Sequence, residues 1–163
     1  MNPSPPVQRL EVLATEALAN PVAGPRLRDL ARPQMRITIV VPDATRACPT
    51  PQLLDALFTE LSAAGIRESD LLLLVALGMH RRLEESEVAT LLRNWAFRCE
   101  IDQAQGNDAT SYEMVGDMPP ATTGLEAIPV RLHRRALNCD LLIAIGLVEP
   151  HQLAGFSGGC KTV

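Results

Sequence analysis

Lysine is almost missing from this sequence. Fourteen arginines stand against a single lysine, Lys161, so guanidinium supplies the solvated positive charge nearly everywhere. A primary amine can act as a nucleophile or carry a covalent adduct, which a guanidinium cannot. The one side-chain amine sits in the closing segment GFSGGCKTV. Aromatic residues are also scarce, at 3%, which leaves little for stacking bases, and a net charge of -4 argues against a general nucleic-acid surface. No C-x-x-C pair occurs among Cys48, Cys99, Cys139 and Cys160. That excludes the usual zinc-site and small-disulfide patterns and leaves reduced thiols as the expectation. The longest apolar run, 71–79, falls far short of the ~20 residues that span a bilayer. The amino terminus MNPSPPVQRLE shows no basic region leading into an apolar one, so the chain reads as soluble and cytoplasmic. What remains is ordinary globular material, 47% hydrophobic and 21% charged in 163 residues, enough for one domain with a real core.

The pattern along the chain predicts an α/β fold with a mostly parallel sheet. The run 37–41 (ITIVV) is β-branched throughout, as in a strand buried on both faces. Thr50 and Pro51 read as the cap and first residue of a helix whose apolar stripe is Leu53, Leu57 and Leu61 and which Gly65 closes. A second buried run, 71–76, completes a βαβ unit. Another helix is signalled by Glu84 and Glu85 with Val88, Leu91, Leu92 and Trp95 on one face. Short helices are expected around Leu10–Leu18 and after Pro25. Weaker strand-like pieces follow at 99–101, 112–115 and 128–132, with 116–124 read as a loop, before the third strong strand, 141–145 (LLIAI).

Each strong strand runs straight into a polar cluster: PDATR at 42–46, LGMHR at 77–81, and LVEPHQLAGFSGGCK at 147–161. Parallel strands bring such loops to one edge of a sheet, where open α/β proteins bind ligands. That edge would gather Asp43, Thr45, Arg46, His80, Arg81, Glu149, His151 and Lys161. Singly, each has a structural reading too, with Asp43 as a turn cap, Arg46 as a solvated helix start and His80 as a turn residue. Their convergence is what points to chemistry. His133, set among Arg131, Arg134 and Arg135, reads as a surface residue. The segment GFSGGCKT nearly matches the phosphate-binding pattern G-x-x-x-x-G-K-[ST], but Cys160 replaces its last glycine and no strand feeds it directly. Nucleotide hydrolysis is therefore disfavoured.

Taken together, D-x-T-R (43–46), G-x-H-R (78–81) and E-P-H-x-x-A-G-F-S-G-G-x-K (149–161) resemble the amino-terminal domain of the nickel-dependent lactate racemase family, over residues 10–163. That family includes related 2-hydroxyacid racemases and epimerases. The resemblance implies that Lys161 covalently carries a nickel-pincer nucleotide, a pyridinium mononucleotide whose two sulfur arms and ring carbon hold the metal. Nickel would then be held through this cofactor and not by side chains of this chain. It further implies that His80 and His151 are the acid/base pair on opposite faces of a 2-hydroxy acid. The α-hydrogen would leave as hydride and return to a flat 2-keto acid on either face. Asp43, Thr45 and Arg46 match the cofactor-binding motif, with Arg46 and Arg81 as carboxylate partners; Arg46 suits a cofactor phosphate equally well.

Met79 replaces a common threonine, and Ala47, Cys48 and Cys160 are further departures that point to altered substrate choice with the chemistry retained. The family's remaining nickel ligand and a second, carboxyl-terminal domain lie beyond these 163 residues. Residues 1–9 are thus expected to be a flexible tail and 10–163 an amino-terminal domain missing its partner domain, weak or inactive alone. Material made in a host without the cofactor-building enzymes is expected to be apo. The competing readings are a non-catalytic domain of the same fold that binds a partner chain or an anion, and a phosphate-loop nucleotide binder.

Overall fold

The structure, a computed structural model, describes residues 9–163 apart from 121, 123, 125, 153 and 154 and the side chain of Cys160. Most of the expected tail lies outside these residues. In chain order the first half contains α1 (Leu10–Ala19), α2 (Leu27–Leu30), β1 (Ile37–Pro42), α3 (Thr50–Ala63), β2 (Leu71–Gly78) and α4 (Glu85–Leu92). The second half contains β3 (Glu100–Gln105), β4 (Tyr112–Met118), β5 (Ile128–His133), α5 (Arg134–Leu137), β6 (Leu141–Ala144), β7 (Pro150–His151) and β8 (Gly155–Phe156).

Four strands form one parallel sheet in the order β3-β2-β1-β6. β1 is buried at every position, as its β-branched run requires. Alternation along β1 and β2 divides their side chains between two faces. Ile37, Ile39, Val41, Leu71, Leu73 and Val75 form the main core with Leu54, Leu57 and Leu61 of α3 and Leu92 of α4. Val40 and Leu74 point the other way, against Ala104 of β3 and Ala136 of α5. Thr38 shares that second face and donates from Oγ1 to the Arg135 carbonyl at 2.9 Å. The longer helices therefore cover one face, while among the described residues the other carries the short α5 and the antiparallel β4–β5 hairpin. That thin cover leaves room for a cavity.

Several local expectations are corrected. Thr50 does not cap α3: it is the first helical residue, fully buried, and its Oγ1 has no hydrogen-bond partner. Gly65 does close the helix, at φ +84, beside the Ile66 N–H that returns to the Leu61 carbonyl at 3.1 Å. α4 stops at Leu92 because Arg93 takes a positive φ of 51°, and Trp95 follows on a 3-10 turn. There the indole packs edge-on to Phe58 with centroids 5.5 Å apart and donates from Nε1 to Asp55 at 2.9 Å. The predicted loop at 116–124 begins later, because β4 continues to Met118 past a register shift between Met114 and Gly116. Gly116, at φ +152, absorbs that irregularity. No helix among the described residues is long and apolar enough to cross a membrane.

Candidate active site

β1, β2 and β3 succeed one another outward in the sheet, and β6 then returns to the other side of β1. The direction of winding reverses between β1 and β6. A crevice opens beyond the carboxyl ends of such neighbouring strands, because their loops leave in opposite directions. A cavity of about 360 Å³ occupies this place and extends over the thinly covered face, where Val40, Leu74 and Ala136 line it. Its polar lining comes from three units: Asp43, Arg46 and His80 from the loops after β1 and β2, Ser157 and Lys161 from the closing segment, and Tyr112, Arg131 and His133 from the hairpin.

The most developed feature is the link between the first two loops. Asp43 is buried, and its Oδ2 accepts a hydrogen bond from Nδ1 of His80, whose side chain is 57% exposed. The other oxygen, Oδ1, accepts from the Thr45 hydroxyl at 2.7 Å and from the Thr45 N–H at 3.3 Å. Both carboxylate oxygens are thereby engaged and the carboxylate is fixed in rotation. With Nδ1 as the donor, a neutral His80 keeps Nε2 free as an acceptor. The His80 carbonyl accepts from the Gln105 side chain at 3.1 Å, which ties this loop to β3.

Across the crevice, Arg46 Nη1 lies 3.8 Å from Glu149 Oε2, bridging the loops after β1 and β6. The closing segment is folded back onto the exit of β6. Ser157 is buried and donates from Oγ to the Leu147 carbonyl at 2.7 Å, while the Glu149 N–H donates to that same Oγ at 3.1 Å. The approach is closest at Gly146, where a Cβ would lie 2.9 Å from the Gly158 Cα. Only glycine permits this contact, and it sets where the following 3-10 turn, Gly159–Thr162, presents Lys161. β7 pairs with β8 before this turn, so the segment is a hairpin and a single 3-10 turn in place of the strand–loop–helix of a phosphate-binding loop.

Of the residues singled out in the sequence, Asp43, Arg46, His80 and Lys161 share the cavity, whereas Thr45, Arg81 and His151 do not line it. Thr45 acts on Asp43. Arg81 turns away to Glu87, with hydrogen bonds of 2.8 and 2.7 Å that hold the Glu87 carboxyl down at about 2. His151 is half-buried on β7. The surface reading of His133 is overturned: it is 7% exposed, and desolvation holds its imidazole below the ordinary histidine value. Sequence reasoning also missed Tyr112 and Arg131. The alternation in IPVRLH, which puts Arg131 and His133 on one side of β5, was the available signal. Among the described residues no three His, Cys, Asp or Glu side chains converge as a metal site.

The sequence matches the family described as lactate racemase N-terminal domain over residues 1–163. It is 30% identical to a lactate racemase of Thermoanaerobacterium thermosaccharolyticum over 162 residues, covering 94% of this chain and 34% of that protein. It is 34% identical to a lactate racemase of Lactiplantibacillus plantarum over 153 residues, covering 91% of this chain and 34% of that one. The fold is similar to the lactate racemase apoprotein from T. thermosaccharolyticum, with a TM-score of 0.76 at 29% identity over 93% of this chain and 35% of that chain. A crystal structure of a protein from Thermotoga maritima is similar at a TM-score of 0.73 and 27% identity, covering 94% and 37%. The chain thus spans about a third of the length of the curated relatives it matches.

Proposed function

Because the chain belongs to the lactate racemase N-terminal domain family, we propose that it carries the acid/base and cofactor-anchoring residues of a 2-hydroxyacid racemase or epimerase that works with a nickel-pincer nucleotide. The observation that supports this reading most is the placement of the only lysine, Lys161, on the same cavity as the Asp43–His80 pair. The residues fit the group. Lys161 offers an amine for a covalent link, and a cavity of about 360 Å³ is within the range that holds a ligand larger than a three-carbon acid. When bound, the cofactor supplies a hydride acceptor, which this chain's own side chains lack.

His80 is the general base in one direction. Its free Nε2 takes the substrate hydroxyl proton, and Asp43, held by Thr45, stabilises the imidazolium that results. Inversion needs a second proton donor and acceptor on the opposite face, a role assigned to His151, ten residues before Lys161. Arg46 is the carboxylate partner: it stands beside the Asp43–His80 pair, and its contact to Glu149 is long and partly exposed, so an incoming carboxylate can replace it. Arg81, engaged with Glu87, has to leave that partner before it can bind substrate. The remaining nickel ligand and substrate contacts belong to the length the relatives have beyond this match, so activity is assigned to a polypeptide of that length. A cytoplasmic location suits Cys48, Cys99 and Cys139, which are free thiols.

The test is racemisation of single-enantiomer lactate and longer 2-hydroxy acids by the nickel-loaded protein at the relatives' full length, compared with Lys161→Arg. The substitution keeps charge and removes the anchoring amine. The reading requires loss of activity, and full activity in the variant would overturn it.

A further inference from the structure

We propose that Gln105 is a positioning residue for His80, and that Gln103, Gln105 and Gly106, at the end of β3, clamp the loop that carries the imidazole. That the clamp serves catalysis rests on the reading of His80 given above. The clamp itself rests on three observations.

The first is that burial does not hold this loop. Residues 79–84 form no helix or strand, residues 78–82 are exposed, and the His80 side chain is 57% exposed. Hydrogen bonds to the main chain have to fix the loop if His80 is to meet Asp43 in one geometry.

The second is where those bonds come from. The Gly106 N–H donates to the Gly78 carbonyl at 2.6 Å, and Gln105 donates from Nε2 to the His80 carbonyl at 3.1 Å. The Gln103 amide makes two bonds to Leu83, donating to its carbonyl at 3.1 Å and accepting from its N–H at 2.7 Å. The end of β3 thus holds the main chain before, at and after the imidazole. Asp43 holds the side chain from the loop after β1, the strand on the other side of β2, so His80 is fixed from both neighbours.

The third is the composition of β3. Register sets Ile101 beside Leu73 and Gln103 beside Val75, on the helix-covered face. Ile101 packs against the core there, and alternation gives the next two positions on that face to Gln103 and Gln105, where the strand passes the loop. A side-chain amide has both donors and an acceptor, which suits main-chain groups that have left the strand ladder. They leave it at this point, because the β2–β3 register shifts between Ala76 and Gly78 and Gly78 turns at φ +56. A Cβ on residue 106 would lie 3.0 Å from the Gly78 carbonyl oxygen, so glycine is what lets the first of these bonds be so short.

Nitrogen-15 spectra of the chain read the clamp at the imidazole itself. In the unaltered chain the neutral His80 ring carries its proton on Nδ1, toward Asp43. Gln105→Met removes the donor at similar length, and Gln105→Glu removes it at the same size; each is expected to lose that tautomer preference. Gln105→Lys, which keeps a donor of similar reach, is expected to retain it. In the nickel-loaded protein at the relatives' full length, Gln105→Met should lower kcat about tenfold and change KM by less than about twofold. A role in stability alone would lower the melting temperature and leave the tautomer in place. An unchanged tautomer in either variant that folds, or a Gln105→Lys chain that behaves as they do, overturns the clamp. Failure of the His80 reading is seen separately, as turnover that survives His80→Gln while the tautomer still follows residue 105.

Discussion

Asp43 and His80, 37 residues apart in sequence, are joined carboxylate to imidazole across the loops that leave two adjacent parallel strands. Thr45 completes the arrangement by holding the other carboxylate oxygen at 2.7 Å. The pair therefore has a fixed direction, with Nδ1 as donor and Nε2 left as the acceptor of the neutral ring. Asp43→Asn keeps the size but cannot stabilise an imidazolium. In the full-length, nickel-loaded protein it should lower turnover on the order of 10²-fold. Nitrogen-15 spectra of the chain should show His80 with its proton on Nδ1, and Asp43→Ala should lose that preference. An unchanged tautomer would remove Asp43 from the mechanism.

The presentation of Lys161 depends on two glycines. A Cβ at residue 146 would sit 2.9 Å from the Gly158 Cα, and Gly158 itself is at φ +76 with the Leu147 carbonyl oxygen 3.0 Å from its own Cβ position. Backbone, unlike a flexible side-chain end, has little room to yield. Gly146→Ala should cost about 1–3 kcal/mol of stability and change the rate at which an amine-selective reagent modifies Lys161. Denaturant unfolding and peptide mapping check both. A variant with unchanged stability and labelling would show that the close approach is not maintained in solution.

Glu60 anchors the segment before β1. Its buried carboxylate takes hydrogen bonds from Arg28 and, at 3.2 Å, from Arg26. The Arg28 hydrogen bond is the leading cause that holds the carboxyl below the ordinary glutamate value of 4.5. A lowered folded-state value means the stabilisation is complete above about pH 4.5 and is lost as pH falls through the lower folded value. Glu60→Gln should lower the melting temperature by roughly 2–8 °C at neutral pH, and the gap from the unaltered chain should close in acid. A gap that stays constant down through that window would contradict the assignment.

His133 contributes in the same direction for a different reason, since burial here favours the neutral form. Its imidazole is held below the ordinary 6.5 by desolvation, so the unfolded chain takes up this proton first. Stability should fall as pH drops below about 6.5 and level off below the folded value. His133→Gln, which retains a donor, should flatten that slope in unfolding measurements. An unaltered slope would mean the ring is not desolvated.

Legibility in the sequence followed burial. β1 and β2 stand out because ITIVV and LLLLVA are the apolar runs that a parallel interior strand demands, and β6 stands out by the apolar run LLIAI although it is an edge strand with Leu142 and Ala144 exposed. β3 stands out only in part: EIDQAQ has one buried position and four polar residues among its six, so it carries no apolar run. The three loops did converge on one crevice, bringing Asp43, Arg46, His80 and Lys161 together. What no local pattern encodes is which of them touch. The Asp43–His80 contact depends on the β1–β2 register, and the Arg81–Glu87 pair, which draws Arg81 away, depends on where α4 begins. His133 was misread because three arginines flank it in sequence. Strand alternation turns Arg131 and His133 to the cavity, while Arg134 and Arg135 start α5 and face glutamates.

The most direct test of the central claim is mass spectrometry of the protein purified from the host that encodes it, grown with nickel, with the adduct located by peptide mapping. The account predicts a nickel-containing pyridine mononucleotide on the peptide that carries Lys161, in excess of the 17.7 kDa calculated for these residues unmodified. An unmodified Lys161 in such material would contradict it and leave the fold as an anion- or partner-binding domain.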